Sequence, residues 1–264
     1  MPPASSWASG RAARASYTSG RERATVTDIA ATLTVGSRSA AGCTYAELEE
    51  PEFAAVVPAL AQAARTVGSP QIRNAGTIGG NLGTASPAGD TLPVLAALDA
   101  RIRVASAEGT RTVMLDELIV GPKRTTLRPG EVIVEVRLPL VDGPQEYLKI
   151  GTRNAMVIAV ADVALVVDRT ARTVRVGLGS VGPTVLRARA AETWVAAEID
   201  WVSGGFSDEG VPAEFGRRVA ADARPIDDHR STAAYRRHGI AVLAERGLRR
   251  AFGRIADDPA RGVA

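Results

Sequence analysis

Apolar residues recur at helical spacing in one long stretch near the start of the chain and again near its end. The first stretch predicts a helix from about residue 52 to 67, because a Gly-Ser-Pro sequence follows it as a breaker. Thr44 and Glu47 have the spacing of a capping box, so we expect a shorter helix to begin there and to end before Pro51.

Short apolar stretches predict strands in the same part of the chain. They cover residues 32–35, 101–105, 111–114 and 131–138, of which the last alternates most regularly. Between the first two of these strands, residues 91–100 are compact and apolar enough to form a buried helix.

The sequence pattern changes at residues 139–144, which marks the boundary between two domains. After it, the order of strands and helices changes. Three strand-like runs come first, over residues 147–153, 157–167 and 173–179, and they predict an antiparallel meander. Helical patterns follow over residues 188–198, 213–221 and 231–252. Strands followed by helices indicate an α+β second domain.

A glycine-rich segment, QIRNAGTIGGNLGTASPAGD at residues 71–90, interrupts these patterns and predicts a structured loop. Its Thr-Ile-Gly-Gly-Asn sequence could present backbone N–H groups to a phosphate, although it matches neither the P-loop nor the dinucleotide fingerprint. Spacing alone leaves a ligand-free turn equally open. Asp90 closes the segment, either as a helix cap or as an acceptor for the hydroxyl groups of a sugar or ribityl chain.

Composition excludes several kinds of function. Cys43 is the only cysteine, so the chain alone can form neither an intramolecular disulfide nor an all-cysteine cluster, and we expect it to be a buried small residue. A net charge of +3 from scattered arginines argues against nucleic-acid binding. The longest apolar run, residues 157–167, is interrupted by Asp162 and is too short to span a membrane. No export signal is evident, which indicates the cytoplasm.

Four segments carry a family resemblance that covers roughly residues 42–252. They read IRNAGTIGGNLGTASPAGDTLPVLAALDA, GPKRTTLRPGEVIVEVRLP, YLKIGTRNAMVIAVADVAL and PIDDHRSTAAYRRH. The first strongly resembles the second flavin-binding segment in the FAD-binding medium subunit of the molybdenum hydroxylases, the family of xanthine dehydrogenase and aerobic carbon monoxide dehydrogenase. The other three are similar to later parts of the same subunit.

The resemblance implies an α+β chain with a PCMH-type FAD-binding domain over residues 41–142, incomplete at its amino terminus. Residues 1–40 are then an atypical, poorly ordered extension. A smaller α+β domain with a three-stranded antiparallel sheet and helices follows over residues 143–255, with a tail at 256–264. The early Ala-Gly-Gly-Thr-Asp-like loop of the family is not found, so we expect either a truncated or frameshifted product or a divergent subunit that holds FAD differently.

The resemblance also implies the site. In this family the contacts to FAD would come from Thr77, Ile78, Gly79, Gly80 and Asn81. Asp90 would meet the ribityl region, Ile133 would pack near the isoalloxazine, and Lys149 would lie beside the flavin ring. Only Lys123 and Lys149 are lysines among 32 basic residues, which favours a required point charge at Lys149 over a surface lysine.

The implied role is electron transfer through FAD to an external acceptor. Substrate oxidation would take place in a large molybdopterin-binding subunit, and a small subunit with 2Fe–2S clusters would relay the electrons. This chain would then contribute no catalytic residue and no metal ligand. A flavin-free docking subunit is the main alternative, and a stand-alone flavin oxidase is a third hypothesis.

Overall fold

The computed structural model describes residues 30–32 and 40–256, with side chains described for residues 41–253. Within these ranges the chain is an α+β protein with a four-stranded antiparallel sheet in each half. Of the extension predicted over residues 1–40, the structure describes the strand Ala30–Thr32 (β1) and residue 40. The strand predicted over residues 32–35 overlaps β1 at Thr32, and its remainder lies outside the described residues.

The first half, residues 40–139, combines short helices with the first sheet. Its helices are α1 Tyr45–Leu48, α2 Pro51–Val56, α3 Pro58–Arg65, α4 Pro70–Ala75, α5 Ile78–Thr84, α6 Leu92–Ala97 and α7 Leu115–Leu118. Its strands are β2 Arg101–Ser106, β3 Gly109–Met114, β4 Ile119–Gly121, β5 Arg124–Thr125 and β6 Val132–Pro139. The first sheet has the order β1-β6-β2-β3, and its buried face packs with the helices around one hydrophobic core.

The second half, residues 145–256, has the reverse order of elements, strands before helices. The strands of its main sheet are β7 Gln145–Ile150, β8 Ala161–Asp168, β9 Thr173–Gly179 and β10 Leu186–Arg187, in the order β10-β9-β8-β7. Helix α8 Arg189–Ala197, the hairpin of β11 Ile199–Asp200 and β12 Gly205–Phe206, and helices α9 Val211–Asp222 and α10 Ala233–Ala256 follow. None of the described helices combines the length and hydropathy that a membrane span requires.

The sheet of the second half is covered on both faces. Tyr147 and Ala164 point into the hydrophobic core of the first half, whereas Leu148 and Leu165 point into a separate core beneath α8, α9 and α10. Strand β8 is therefore buried along all but its last residue. A sheet buried on both faces reads as a continuous apolar run, which is why the sequence shows one there.

Two predictions about helices were wrong in detail. The helix predicted over residues 52–67 is divided at Val57, because Pro58 begins a new helix and disfavours helical backbone at the residue before it. The glycine-rich segment is not a loop throughout, since α4 and α5 lie within it. Ser69 and Thr77 supply the N-caps that start these two helices. The capping box of Thr44 and Glu47 is confirmed.

The three strands of the predicted meander are present, but the sheet has four strands. A fourth strand, β10, adds two residues to the edge of the three that the sequence predicts. The second strand begins at Ala161 rather than at Val157, since residues 151–160 form an irregular connection after β7. The strands predicted over residues 101–105 and 111–114, which pair as β2 and β3, and the long final helix are confirmed.

Candidate functional site

A buried ion pair joins the two halves of the chain. We call the region formed by Lys149, Asp90, Thr66, Tyr147 and Asp162 the seam. Lys149 on β7 places its Nζ 2.6 Å from Oδ2 of Asp90, which lies just before α6, and each side chain is only 8% exposed. Thr66 completes the contact, because its hydroxyl donates to the same Oδ2 at 3.1 Å and its carbonyl accepts from Nζ at 3.3 Å. Two of the predicted site residues are thus brought together, and the helix-cap and surface-lysine alternatives are wrong.

Two residues that the sequence analysis did not select lie beside this pair. The Tyr147 hydroxyl donates to Oδ2 of Asp162 at 2.9 Å, and Asp162 is wholly buried. Asp162 is also the cross-strand partner of Lys149 in the pairing of β7 with β8. The signal that could have identified Asp162 is its position as the one acidic residue inside an apolar run.

Burial dominates the electrostatics of the seam. It raises the pKa of Asp90 above its usual value, although the charge of Lys149 and the hydrogen bonds from Lys149 and Thr66 act in the opposite direction. Burial and the charge of Asp90 raise the pKa of Asp162 to about 8. The pKa of Tyr147 lies well above 10 because of burial and the charges of Asp162 and Asp90.

The Thr-Ile-Gly-Gly-Asn segment forms the start of α5 rather than an open loop. The N–H groups of Ile78, Gly80 and Asn81 donate to Cys43 O, Thr77 Oγ1 and Thr77 O, respectively. Most of the backbone donors predicted to meet a phosphate are therefore used within the protein. The Asn81 side chain is joined to the neighbourhood of the ion pair, because its Oδ1 accepts from the hydroxyl of Thr91, the residue after Asp90, at 2.6 Å.

The glycines of α5 have different structural explanations. A Cβ at Gly79 would lie 2.7 Å from Ala41 O, so close packing explains this glycine. Gly80 and Gly83 are exposed: a Cβ would meet only Thr77 Oγ1, at 3.1 Å, in the first case and nothing within 4 Å in the second. Glycine costs about 0.8–1.0 kcal/mol relative to alanine in a helix interior. We call this open surface of Gly80 and Gly83 the glycine face, and it leaves the helix backbone accessible to a flat ligand.

A cleft of 870 Å³ opens beside Lys149 and has a basic lining. Arg65, Arg73 and Arg153 contribute to it, together with the connection that follows β7. Arg73 forms an ion pair with Glu49 at 2.6 Å, and Arg153 donates to the Ala155 and Met156 carbonyls of its own loop. An anionic ligand would find compensating charge here.

Cys43 belongs to the hydrophobic core of the first half, and Ile133 packs against it. Cys43 is buried, and burial followed by the charges of Glu47 and Glu50 raises the pKa of its thiol to about 12, which confirms a structural role. Ile133 lies on β6, half-buried against the core of the first half. Among the described residues, no group of three or more His, Cys, Asp or Glu side chains could hold a metal ion.

Together, the fold and the site define a class of protein: a two-part α+β chain whose halves are joined by a buried ion pair beside a basic cleft. Residues 25–141 match the family model of the FAD binding domain in molybdopterin dehydrogenase, and residues 146–251 match that of the CO dehydrogenase flavoprotein C-terminal domain. The chain therefore belongs to the FAD-binding medium subunits of the molybdopterin dehydrogenases, and it is an oxidoreductase subunit of a molybdenum hydroxylase complex. The match begins at residue 25, earlier than the resemblance indicated.

Several known proteins are similar along most of the chain. The glyceraldehyde dehydrogenase medium chain of Sulfolobus acidocaldarius is 32% identical over 73% of this chain and 67% of its own length. The carbon monoxide dehydrogenase medium chain of Hydrogenophaga pseudoflava is 31% identical over 79% of this chain and 72% of its own. A solved structure of the Hydrogenophaga pseudoflava carbon monoxide dehydrogenase, which lacks the Mo-pyranopterin moiety, superposes with a TM-score of 0.71 at 30% identity, covering 81% of this chain and 74% of that one.

The residues present fit FAD on an observation independent of the family. Oδ1 of Asp90 is buried without a hydrogen-bond partner, although the other oxygen of the same carboxyl has two. An acceptor of this kind can take a further donor, and the hydroxyl groups of a ribityl chain are suitable donors. Lys149 supplies a cation beside the same carboxyl, and the glycine face leaves room for a flat group.

Proposed function

We propose that this chain is the electron-transferring flavin subunit of its complex. Electrons would come from 2Fe–2S clusters in a small partner subunit, which receive them from a large molybdopterin-binding subunit, and would leave for an external acceptor. The observation that carries the proposal is the buried Asp90–Lys149 pair, with its unpartnered carboxylate oxygen and the basic cleft beside it. Bound FAD would supply the redox chemistry, which no described side chain provides.

The residues of the seam would bind the cofactor and adjust its charge. Asp90 would accept a hydroxyl hydrogen bond from the ribityl chain through Oδ1, while Oδ2 stays with Lys149 and Thr66. The Lys149 ammonium would stabilise the negative charge that a reduced flavin carries, and thereby raise its reduction potential. Its burial strengthens this effect, because few water molecules screen the charge.

The other predicted contacts surround this centre. Thr77, Gly79, Gly80 and Asn81 would contact FAD from the start of α5, where Thr77 and Asn81 already have their side chains fixed by hydrogen bonds. Ile78 is buried in the core, so it would hold α5 in place rather than contact the cofactor with its side chain. Ile133 would supply an apolar contact to the ring system from β6. The role of this subunit is to bind and orient the cofactor, and substrate oxidation belongs to the large partner subunit.

Purification with both partner subunits tests the proposal. We expect a complex whose absorption spectrum contains flavin, with about one FAD released per copy of this chain on denaturation. When the clusters are reduced anaerobically with a stoichiometric reductant, the flavin absorption should bleach as electrons reach it. A stoichiometric complex without flavin, even after reconstitution with FAD, would contradict the proposal in favour of a docking subunit. So would a flavin that stays oxidised beside reduced clusters.

Substituting one glycine of the glycine face should separate stability from cofactor binding. Gly83→Ala adds a methyl group where nothing lies within 4 Å, so the chain should gain up to about 1 kcal/mol of stability from helix propensity. If FAD lies on this face, its affinity should fall roughly tenfold, which corresponds to about 1.4 kcal/mol. Thermal unfolding and fluorescence titration of the flavin measure the two effects.

A matched control exists in α10. Gly253 is also exposed and helical, and a Cβ there would likewise meet nothing within 4 Å. Gly253→Ala should stabilise the chain similarly and leave FAD binding unchanged. Equal FAD affinities in the two variants would show that the glycine face does not contact the cofactor.

A further inference from the structure

The seam contains two carboxyl groups, those of Asp90 and Asp162, but only one lysine. Lys149 and Asp162 are opposite each other on β7 and β8, and Tyr147 lies two residues before Lys149 on the same face of the sheet. Asp90 approaches from the first half and takes the ammonium at 2.6 Å. Two buried carboxyl groups therefore lie near one lysine, and the ammonium contacts only that of Asp90.

The carboxyl group of Asp162 occupies space that a side chain on the neighbouring strand would otherwise fill. Its cross-strand partner on β9 is Gly179, where a Cβ would lie 2.3 Å from Oδ1 of Asp162. The side chain is wholly buried, and it accepts one hydrogen bond at Oδ2, from Tyr147. Oδ1 is buried and has no hydrogen-bond partner. An ionised carboxylate whose donors are the neutral hydroxyl groups of Tyr147 and, with a smaller effect, Ser180 is costly in such a place, whereas a protonated carboxyl is not.

The backbone around Asp162 is fixed from two directions. Arg236 of α10 donates to Val160 O at 2.9 Å and to Ser180 O at 2.8 Å, which are the carbonyls just before β8 and just after β9. The N–H of Ser180 in turn donates to the carbonyl of Pro87, in the loop that carries Asp90. The two acids are thus held in a fixed relation by main-chain contacts.

We propose that Asp162, held in its protonated form and bonded to Tyr147, is a positioning residue that keeps the Lys149 ammonium paired with Asp90 and available to the cofactor. The inference rests on the proposed function, since it takes Asp90 and Lys149 as the FAD contacts. With Asp162 neutral, the charges of Asp90 and Lys149 cancel. Ionisation of Asp162 would give the seam a net negative charge and would draw the ammonium toward β8, and both effects oppose the binding of an anionic cofactor.

The charged and titratable groups that face Asp162 are consistent with this assignment. They are Tyr147 and Lys149 from β7 and Asp90 from the first half, with the Ser180 hydroxyl nearby and the Arg236 guanidinium on the adjacent carbonyls. Burial, followed by the charge of Asp90, raises the pKa of Asp162 to about 8. Burial therefore outweighs the Tyr147 and Ser180 hydrogen bonds and the charge of Lys149, which favour the ionised form.

Infrared spectroscopy of the full chain tests the protonation directly and needs no FAD. We expect a band from a protonated carboxyl group at pH 7 that disappears at alkaline pH. The band should be missing from the Asp162→Asn variant, which keeps the shape of the side chain but has no acid. A wild-type spectrum without this band would overturn the proposal, whether or not the chain binds FAD.

The pH dependence of FAD binding in the assembled complex tests the positioning role. The dissociation constant of the wild type should be constant from pH 6 to 7 and should rise about tenfold by pH 9, an effect equivalent to one pKa unit of interaction. Asp162→Asn should match the wild type within about twofold at pH 6 and should stay flat. Tyr147→Phe removes a hydrogen bond that favours the ionised carboxyl, so its transition should move to higher pH.

Two results would contradict the positioning role. One is the same pH profile in the wild type and in Asp162→Asn. The other is a loss of affinity at pH 6 in Asp162→Asn, because it would mean that an ionised carboxylate is needed there. A wild-type complex that takes up no FAD at any pH would instead contradict the proposed function, and the infrared measurement would still decide the protonation state of Asp162.

Discussion

Replacing Lys149 by methionine should destabilise the folded chain by about 3–5 kcal/mol, because it leaves a buried carboxylate without its cation. Lys149 and Asp90 are each 8% exposed, so water solvates the carboxylate poorly in the folded chain. Thr66 alone would remain as a donor to Asp90 Oδ2. In a complex that still binds FAD, the same variant should lower the reduction potential of the flavin, because a positive charge beside the reduced form has been removed.

Urea unfolding of the full chain and redox titration of the complex measure the two effects. Lys123→Met is a matched control, since Lys123 is the only other lysine and is exposed, and its replacement should change stability by less than about 0.5 kcal/mol. The double variant Asp90→Asn with Lys149→Met should recover much of the loss, because neither charge remains. An unchanged potential in Lys149→Met would contradict the role given to this lysine, even if the loss of stability is as expected.

The parts of the fold that could be predicted are those with a local pattern. Strand β6 alternates and α10 has helical spacing, and both were predicted to within a few residues at most ends. Helix α5 was missed because three of its seven residues are glycine. Its stability comes from tertiary packing, in which Ile78 and Leu82 are almost wholly buried, and from the Thr77 cap. The local signs of a helix were the spacing of Ile78 and Leu82, four residues apart, and the threonine at its N-cap.

The candidate site was accessible to sequence analysis only in part. Asp90 and Lys149 could be assigned to one ligand by family resemblance, although 59 positions separate them. Their pairing with each other depends on how β7 packs against the first half, and no local pattern contains that information. Asp162 was visible only as an interruption in an apolar run, and such an interruption distinguishes neither a buried acid from an exposed one nor its partner.

The packing that brings the two acids together can itself be tested at Gly177. Strand β9 passes so close to α6 that a Cβ at this position would lie 2.0 Å from Pro93 O. Main-chain atoms cannot give way as a flexible side chain can, so Gly177→Ala should separate α6 from β9 and cost about 3 kcal/mol. Because Asp90 lies just before α6, its distance from Lys149 should increase as well.

Gly177→Ala should therefore reduce stability and FAD affinity together, in contrast to Gly83→Ala, which should raise stability while it reduces affinity. Unfolding curves and flavin titrations of the same preparations distinguish the two patterns. Gly253→Ala is the control for replacing a glycine by alanine at an exposed position. A Gly177→Ala variant that keeps the wild-type affinity for FAD despite lower stability would show that cofactor binding tolerates movement of α6. The packing of the two halves against each other would then not determine FAD binding. The buried Asp90–Lys149 pair would not be the contact that determines the affinity for FAD.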